Sequence, residues 1–146
     1  MVRVMLAAAA AILLGACSEP FIVFSGGALN GEAADPPGDW TILDNIDTVQ
    51  LETQPDDPYS VNIWAVGMGP LLYVHAGANR SSWVEHMEAN PEVRVRVEGT
   101  LYDLRASRVE DQLEFTRFSD AYEEKYGLRP RNENAEEAFL FRLEAR

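Results

Sequence analysis

The sequence predicts a mainly β domain with two helices and antiparallel strands. Three observations predict it. Val93, Val95 and Val97 alternate with Arg94, Arg96 and Glu98, the period of a strand with one buried face. Short breaker-rich turns, Pro55–Asp56–Asp57–Pro58 and Gly67–Met68–Gly69–Pro70, separate runs rich in β-branched and aromatic residues; connections this short join antiparallel neighbours, whereas parallel ones need long crossovers. Two further stretches open with helix-capping spacing and continue with apolar residues three and four apart, as on one face of a helix.

The elements follow in order. Thr48 to Thr53 alternates, with Val49 and Leu51 on one face and Gln50 and Glu52 on the other. The turn at Asp56–Asp57 accounts for those paired aspartates as turn formers rather than as a catalytic dyad. Tyr59 to Val66 and Leu71 to Ala76 are the next strands. A short helix then starts near Ser82, which stands three residues before Glu85 as in a capping box; Trp83 and Met87 share its inner face. Asn90–Pro91 ends it, because a residue before proline disfavours helical geometry. The valine strand, Val93 to Val97, and a partner, Thr100 to Val109, follow. The second helix runs from Asp111 to Tyr126 with a stripe of Phe115, Phe118, Tyr122 and Tyr126. Gly127 is placed to cap its end. Phe139 to Leu143 is the last strand. The expected core includes Val49, Leu51, Ile63, Leu71, Tyr73, Val93, Val95, Val97, Phe118 and Phe141.

The amino terminus has a different character. Arg3 precedes an apolar run from Val4 to Leu14, too short for a stable membrane span, which takes roughly 20 apolar residues. A charged tip, short apolar stretch and small residues are the parts of a secretory signal. Leu14–Gly15–Ala16–Cys17 resembles a bacterial lipobox, whose cysteine is lipidated. The expected division is a signal peptide over 1–16, a lipidated tether over 17–38 and the folded domain over 39–146. Breakers such as Gly26–Gly27 and Pro36–Pro37–Gly38 mark the tether, although Phe21–Ile22–Val23–Phe24 inside it is apolar. The resemblance implies an exported protein held to a membrane through Cys17. In a cell with two membranes, Ser18 after the cysteine favours the periplasmic face of the outer membrane.

Composition narrows the function. The 146 residues carry 24 acidic and 12 basic side chains, a net charge of −12. Such a surface repels phosphate backbones and makes nucleic acid an unsuitable partner. Cys17 is the single cysteine, so once it is lipidated no thiol remains for a disulfide, a nucleophile or a thiolate metal site. His75 sits in a strand and His86 on a helix, and their spacing argues for no metal. No serine lies in a nucleophile-elbow context, and no side chain stands out as a catalytic acid or base.

One stretch is suited to an anion. Asn79, Arg80, Ser81 and Ser82 lie where the third strand gives way to the first helix. A helix start offers free N–H groups and a partial positive charge; Arg80 adds a forked cation and the serines add hydroxyls. From spacing alone, a capped helix with a solvent-facing arginine is slightly favoured over an anion site.

The order of elements from Thr48 to Glu110, and above all Trp83–Val84–Glu85–His86–Met87–Glu88–Ala89–Asn90–Pro91–Glu92–Val93–Arg94–Val95, resembles the pyridoxamine-phosphate-oxidase superfamily and its deazaflavin-dependent nitroreductase branch. The resemblance implies a split antiparallel β-barrel of the FMN-binding type. It implies a homodimer, FMN or a deazaflavin as cofactor, and reduction of a small organic acceptor. It further implies that Asn79, Arg80, Ser81 and Ser82 hold a cofactor phosphate while Asn62 and Trp64 lie beside its ring. The basic turn of the deazaflavin branch is replaced here by Val66–Gly67–Met68–Gly69–Pro70. Two readings therefore stand: a flavin-type reductase, or a non-enzymatic envelope binding or assembly module on a split barrel that has lost its cofactor.

Overall fold

The computed structural model describes residues 26–146. The expected signal peptide, Cys17 and Phe21–Phe24 lie outside the described residues. The strands are β1 (Glu32–Ala34), β2 (Thr48–Thr53), β3 (Tyr59–Met68), β4 (Leu71–His75), β5 (Glu92–Val97), β6 (Thr100–Arg108) and β7 (Leu140–Ala145). The helices are α1 (Ser82–Ala89) and α2 (Gln112–Tyr126), with a short 3-10 turn at Thr41–Asn45 before β2.

Strands β2, β3, β4, β7, β6 and β5 pair in that order, each antiparallel to the next, and β5 returns to β2. The chain thus forms a split antiparallel β-barrel of six strands, extended by β1. Closure leaves these strands few free edges. One edge of β6 is shared: Leu104 to Arg108 pairs with β7, while Thr100 to Tyr102 pairs in parallel with β1.

That parallel strand belongs to the stretch expected as tether. From residue 26 onward the stretch lies on the barrel. Gly26 and Ser60 exchange backbone hydrogen bonds of 2.8 and 2.9 Å, and Leu29 is buried. A side chain at Gly31 would collide with the backbone of Gly99, so only glycine lets the two chains approach there. This strap also changes the outer face of β2. Glu52, expected in solvent, is 6% exposed, and its carboxylate accepts the Leu29 N–H at 2.6 Å. The side chains of β2 alternate as in the sequence, but a remote segment covers the polar face.

Two apolar clusters hold the fold. Val49, Leu51, Val93, Val95, Leu72, Val74 and Phe141 point into the barrel, joined by Trp83, Val84 and Met87 of α1. Tyr73 and Leu140, on the opposite faces of β4 and β7, meet Phe115 and Phe118 of α2 in the second. The alternation of β4 thus serves both layers. Of the expected core, Ile63 and Leu71 are half-buried and pack on the two cluster edges. Arg94 and Arg96 keep to the outer face. Trp40, 1% exposed, is held against β3 because Gly67 has no side chain; a Cβ there would lie 2.6 Å from the Trp40 carbonyl oxygen.

The two helix starts differ. Asp111 caps α2 by accepting the Glu114 N–H at 2.7 Å, and Gly127 closes it at φ 74°, as expected. The expected Ser82–Glu85 capping box does not form. Ser82 is already helical, Ser81 is the cap residue, and its hydroxyl makes no capping bond.

Candidate functional site

Strand β4 delivers the chain to the predicted loop. Phe139 braces the exit: the Ala76 N–H donates to the Phe139 carbonyl at 2.9 Å, and the Phe139 N–H to the Gly77 carbonyl at 2.8 Å. Gly77 turns the chain at φ 63°. Asn79, Arg80 and Ser82 are exposed and Ser81 is half-buried. The Ser81 Oγ is itself shielded from solvent and has no hydrogen-bond partner. A shielded, unpaired hydroxyl is uncommon and costly. With no side chain capping α1, the helix's first N–H groups also lack a side-chain acceptor. Arg80, the Ser81 hydroxyl and the start of α1 are consecutive in the chain, so donors of three kinds stand at this turn.

Arg80 does not stand free. Its guanidinium lies 3.4 Å from Glu85 and 2.5 Å from Glu88, both one or two turns along α1. Glu88 also faces Arg108, 3.7 Å away at the end of β6. Arg108 is fixed by the carbonyls of Glu136 and Ala138 and lies 4.3 Å over the Phe139 ring. Its Nε is shielded and unpaired. Nothing in local sequence spacing singles out Arg108 or Glu88.

The predicted ring-side residues sit elsewhere on β3. Asn62 is exposed, opposite Gln50. Trp64 is half-buried and stacked on Tyr126, ring centroids 4.4 Å apart and planes within 7°. The aromatic partners of Trp64, Tyr122 and Tyr126, both belong to α2. Beside this stack stands Lys125, the single lysine of the sequence. Its ammonium donates to the Ile46 and Ala65 carbonyls, each at 2.7 Å, and burial lowers its pKa from the ordinary lysine value while nearby Asp47 and Asp44 oppose that shift.

Both histidines pack against aromatic rings. His75 is packed among Phe115, Phe118 and Tyr122; its Nε2 has no partner, and burial pushes its pKa down to about 4. His86, on α1, has Nδ1 3.0 Å from the Thr53 hydroxyl and lies edge-on to Tyr59.

Two of the grooves among the described residues are open to solvent. One, of about 270 Å³, is lined by Glu52, Thr53, Arg94, Asp103 and Arg146 among others. The other, of about 380 Å³, is lined by Asp44, Val66, Gly67, Ala121, Glu124 and Lys125. Neither includes Asn62, Trp64 or residues 79–82.

No protein-family model matches the chain, and no curated protein matches it. Solved structures do. A candidate 5-nitroimidazole antibiotic resistance protein from Bacteroides thetaiotaomicron is 14% identical, with a TM-score of 0.56 over 70% of this chain and 75% of that one. A candidate pyridoxamine 5'-phosphate oxidase from Listeria innocua is 19% identical, with a TM-score of 0.54 over 70% and 86%. A FAD-binding protein from Mesorhizobium loti is 17% identical, with a TM-score of 0.51 over 86% and 94%. At these identities the likeness is one of fold: the chain shares the scaffold of these proteins.

Proposed function

We propose that this chain is a lipid-anchored envelope protein whose split barrel binds a flavin-type cofactor, FMN or a deazaflavin, and reduces a small organic acceptor. The observation that carries the reading is the unpartnered Ser81 Oγ beside the uncapped start of α1. A phosphate supplies the acceptors that this hydroxyl and the first N–H groups of the helix lack, with the guanidinium of Arg80 next to them in the chain. The phosphate end of such a cofactor therefore fits the residues present. The ring end fits less simply, because Tyr126 covers one face of Trp64; the homodimer belongs to this proposal because a second copy could complete the ring side.

Bound there, the cofactor would supply the hydride chemistry. The chain's part is to hold the phosphate at Asn79–Ser82 and to orient the ring. The acyl chains on Cys17 would give the membrane attachment, since an acidic domain gains nothing from anionic headgroups.

Two observations favour the non-enzymatic alternative: the glutamates already on Arg80 and the Tyr126 ring already on Trp64. Titration of the full mature chain carrying Cys17→Ser with FMN and with a reduced deazaflavin, followed by fluorescence, separates the two. Saturable binding that Arg80→Ala weakens about ten- to a hundred-fold supports the cofactor reading. No binding of either at high micromolar concentration leaves the binding module.

A further inference from the structure

Two arginines from distant parts of the chain converge on one carboxylate. Arg80 precedes α1 and Arg108 ends β6, yet Glu88 lies between them, 2.5 Å from the first and 3.7 Å from the second. The arrangement is lopsided. Glu88 faces Arg108 beyond hydrogen-bond distance, and the shielded Arg108 Nε has no acceptor at all. A forked cation with an empty donor is a place where an acceptor is missing.

We propose that Arg80 and Arg108 together form a binding site for a phosphate-bearing ligand, in which Glu88 is an internal occupant that the ligand displaces. A phosphate monoester presents three acceptor oxygens where the carboxylate presents two, and it carries more charge. It can therefore engage both guanidinium groups where Glu88 engages one closely. Displacement is easy because the contact is a surface one. The side chains of Arg80, Arg108 and Glu88 are 56%, 24% and 31% exposed, and ion pairs this open are weak and screened. Arg108 is the better-prepared half: two main-chain carbonyls and the Phe139 face fix it in advance, so little freedom is lost on binding. Arg80 is the movable half. Its side chain is 56% exposed and, among the described residues, is held only by Glu85 and Glu88.

The inference rests on the cofactor reading only for the identity of the ligand; the site itself requires a phosphate group and no ring. Inorganic phosphate is therefore the first probe, followed by 31P NMR on the full mature chain carrying Cys17→Ser. Glu88→Gln is expected to bind phosphate about tenfold more tightly than the parent. Adding Arg80→Ala or Arg108→Lys to Glu88→Gln should abolish that gain, the lysine keeping the charge but losing the fork. An unchanged phosphate affinity in Glu88→Gln overturns the proposal, as does a gain that persists in both double variants. Glu88 sits on an exposed helix face, so its variant reads out binding without unfolding, which a thermal melt checks. FMN and riboflavin provide the second arm. If phosphate behaves as expected and FMN binds no tighter than phosphate, this site stands and the flavin reading falls. If FMN binds equally well to parent and Glu88→Gln, the flavin reading stands and this site falls.

Discussion

Trp64 lies flat on Tyr126, ring centroids 4.4 Å apart and planes within 7° of parallel. The Tyr126 hydroxyl locks the pair by donating to the Asp47 carbonyl at 2.6 Å and accepting the Ala65 N–H at 3.1 Å. The stack therefore both fastens α2 to β3 and covers one face of Trp64, the residue proposed to lie beside a cofactor ring. Tyr126→Phe should cost about 1–2 kcal/mol through the lost hydroxyl bonds, read by denaturant unfolding. Tyr126→Ala should uncover Trp64 and strengthen flavin binding. Weaker binding in that variant would show that the stack supports a ligand rather than competing with one.

His75 makes stability depend on pH. Its folded-state pKa, pushed down to about 4 by burial, lies below the ordinary value near 6.5. The unfolded chain then binds the proton first, so stability present above pH 6.5 is lost as pH falls toward 4. The slope is about 1.4 kcal/mol per pH unit, or roughly 3 kcal/mol across the window. His75→Phe should flatten the curve between pH 4 and 6.5. An imidazole that titrates near 6.5 by NMR would contradict this account.

The two helix starts should respond differently to alanine. Asp111→Ala removes a formed cap and should cost about 1 kcal/mol. Ser81→Ala and Ser82→Ala break no capping bond and should change stability by less than about 0.5 kcal/mol. Ser81→Ala should nevertheless weaken binding of a phosphate-bearing ligand. A large stability loss at Ser81 would mean that its hydroxyl has a structural partner after all.

Attachment to the membrane is expected to depend on Cys17 alone. Cys17→Ser should yield a soluble chain or an uncleaved precursor on fractionation. A variant that is processed and stays with the membrane would remove the lipid anchor from the proposal and shift attention to Phe21–Phe24.

The sequence by itself determined the elements and their local ends. The valines of β5 alternate into the core and its arginines outward; Asp111 and Gly127 bound α2; Asn90–Pro91 stops α1. Each is encoded within a few residues, by side-chain period or by a cap, so it can be read without the rest of the chain. Only the tertiary structure decided how these elements close and what their outer faces meet. β7 enters between β4 and β6, and residues 26–34 join the barrel and bury Glu52. Glu88 meets Arg108, and Trp64 stacks on Tyr126. The loop at Asn79–Ser82 was legible because its residues are contiguous, but its electrostatic state was not: Arg80 is long enough to choose among several carboxylates, and packing placed two of them within its reach. Partners distant in sequence are selected by chain closure and burial, which no local pattern records.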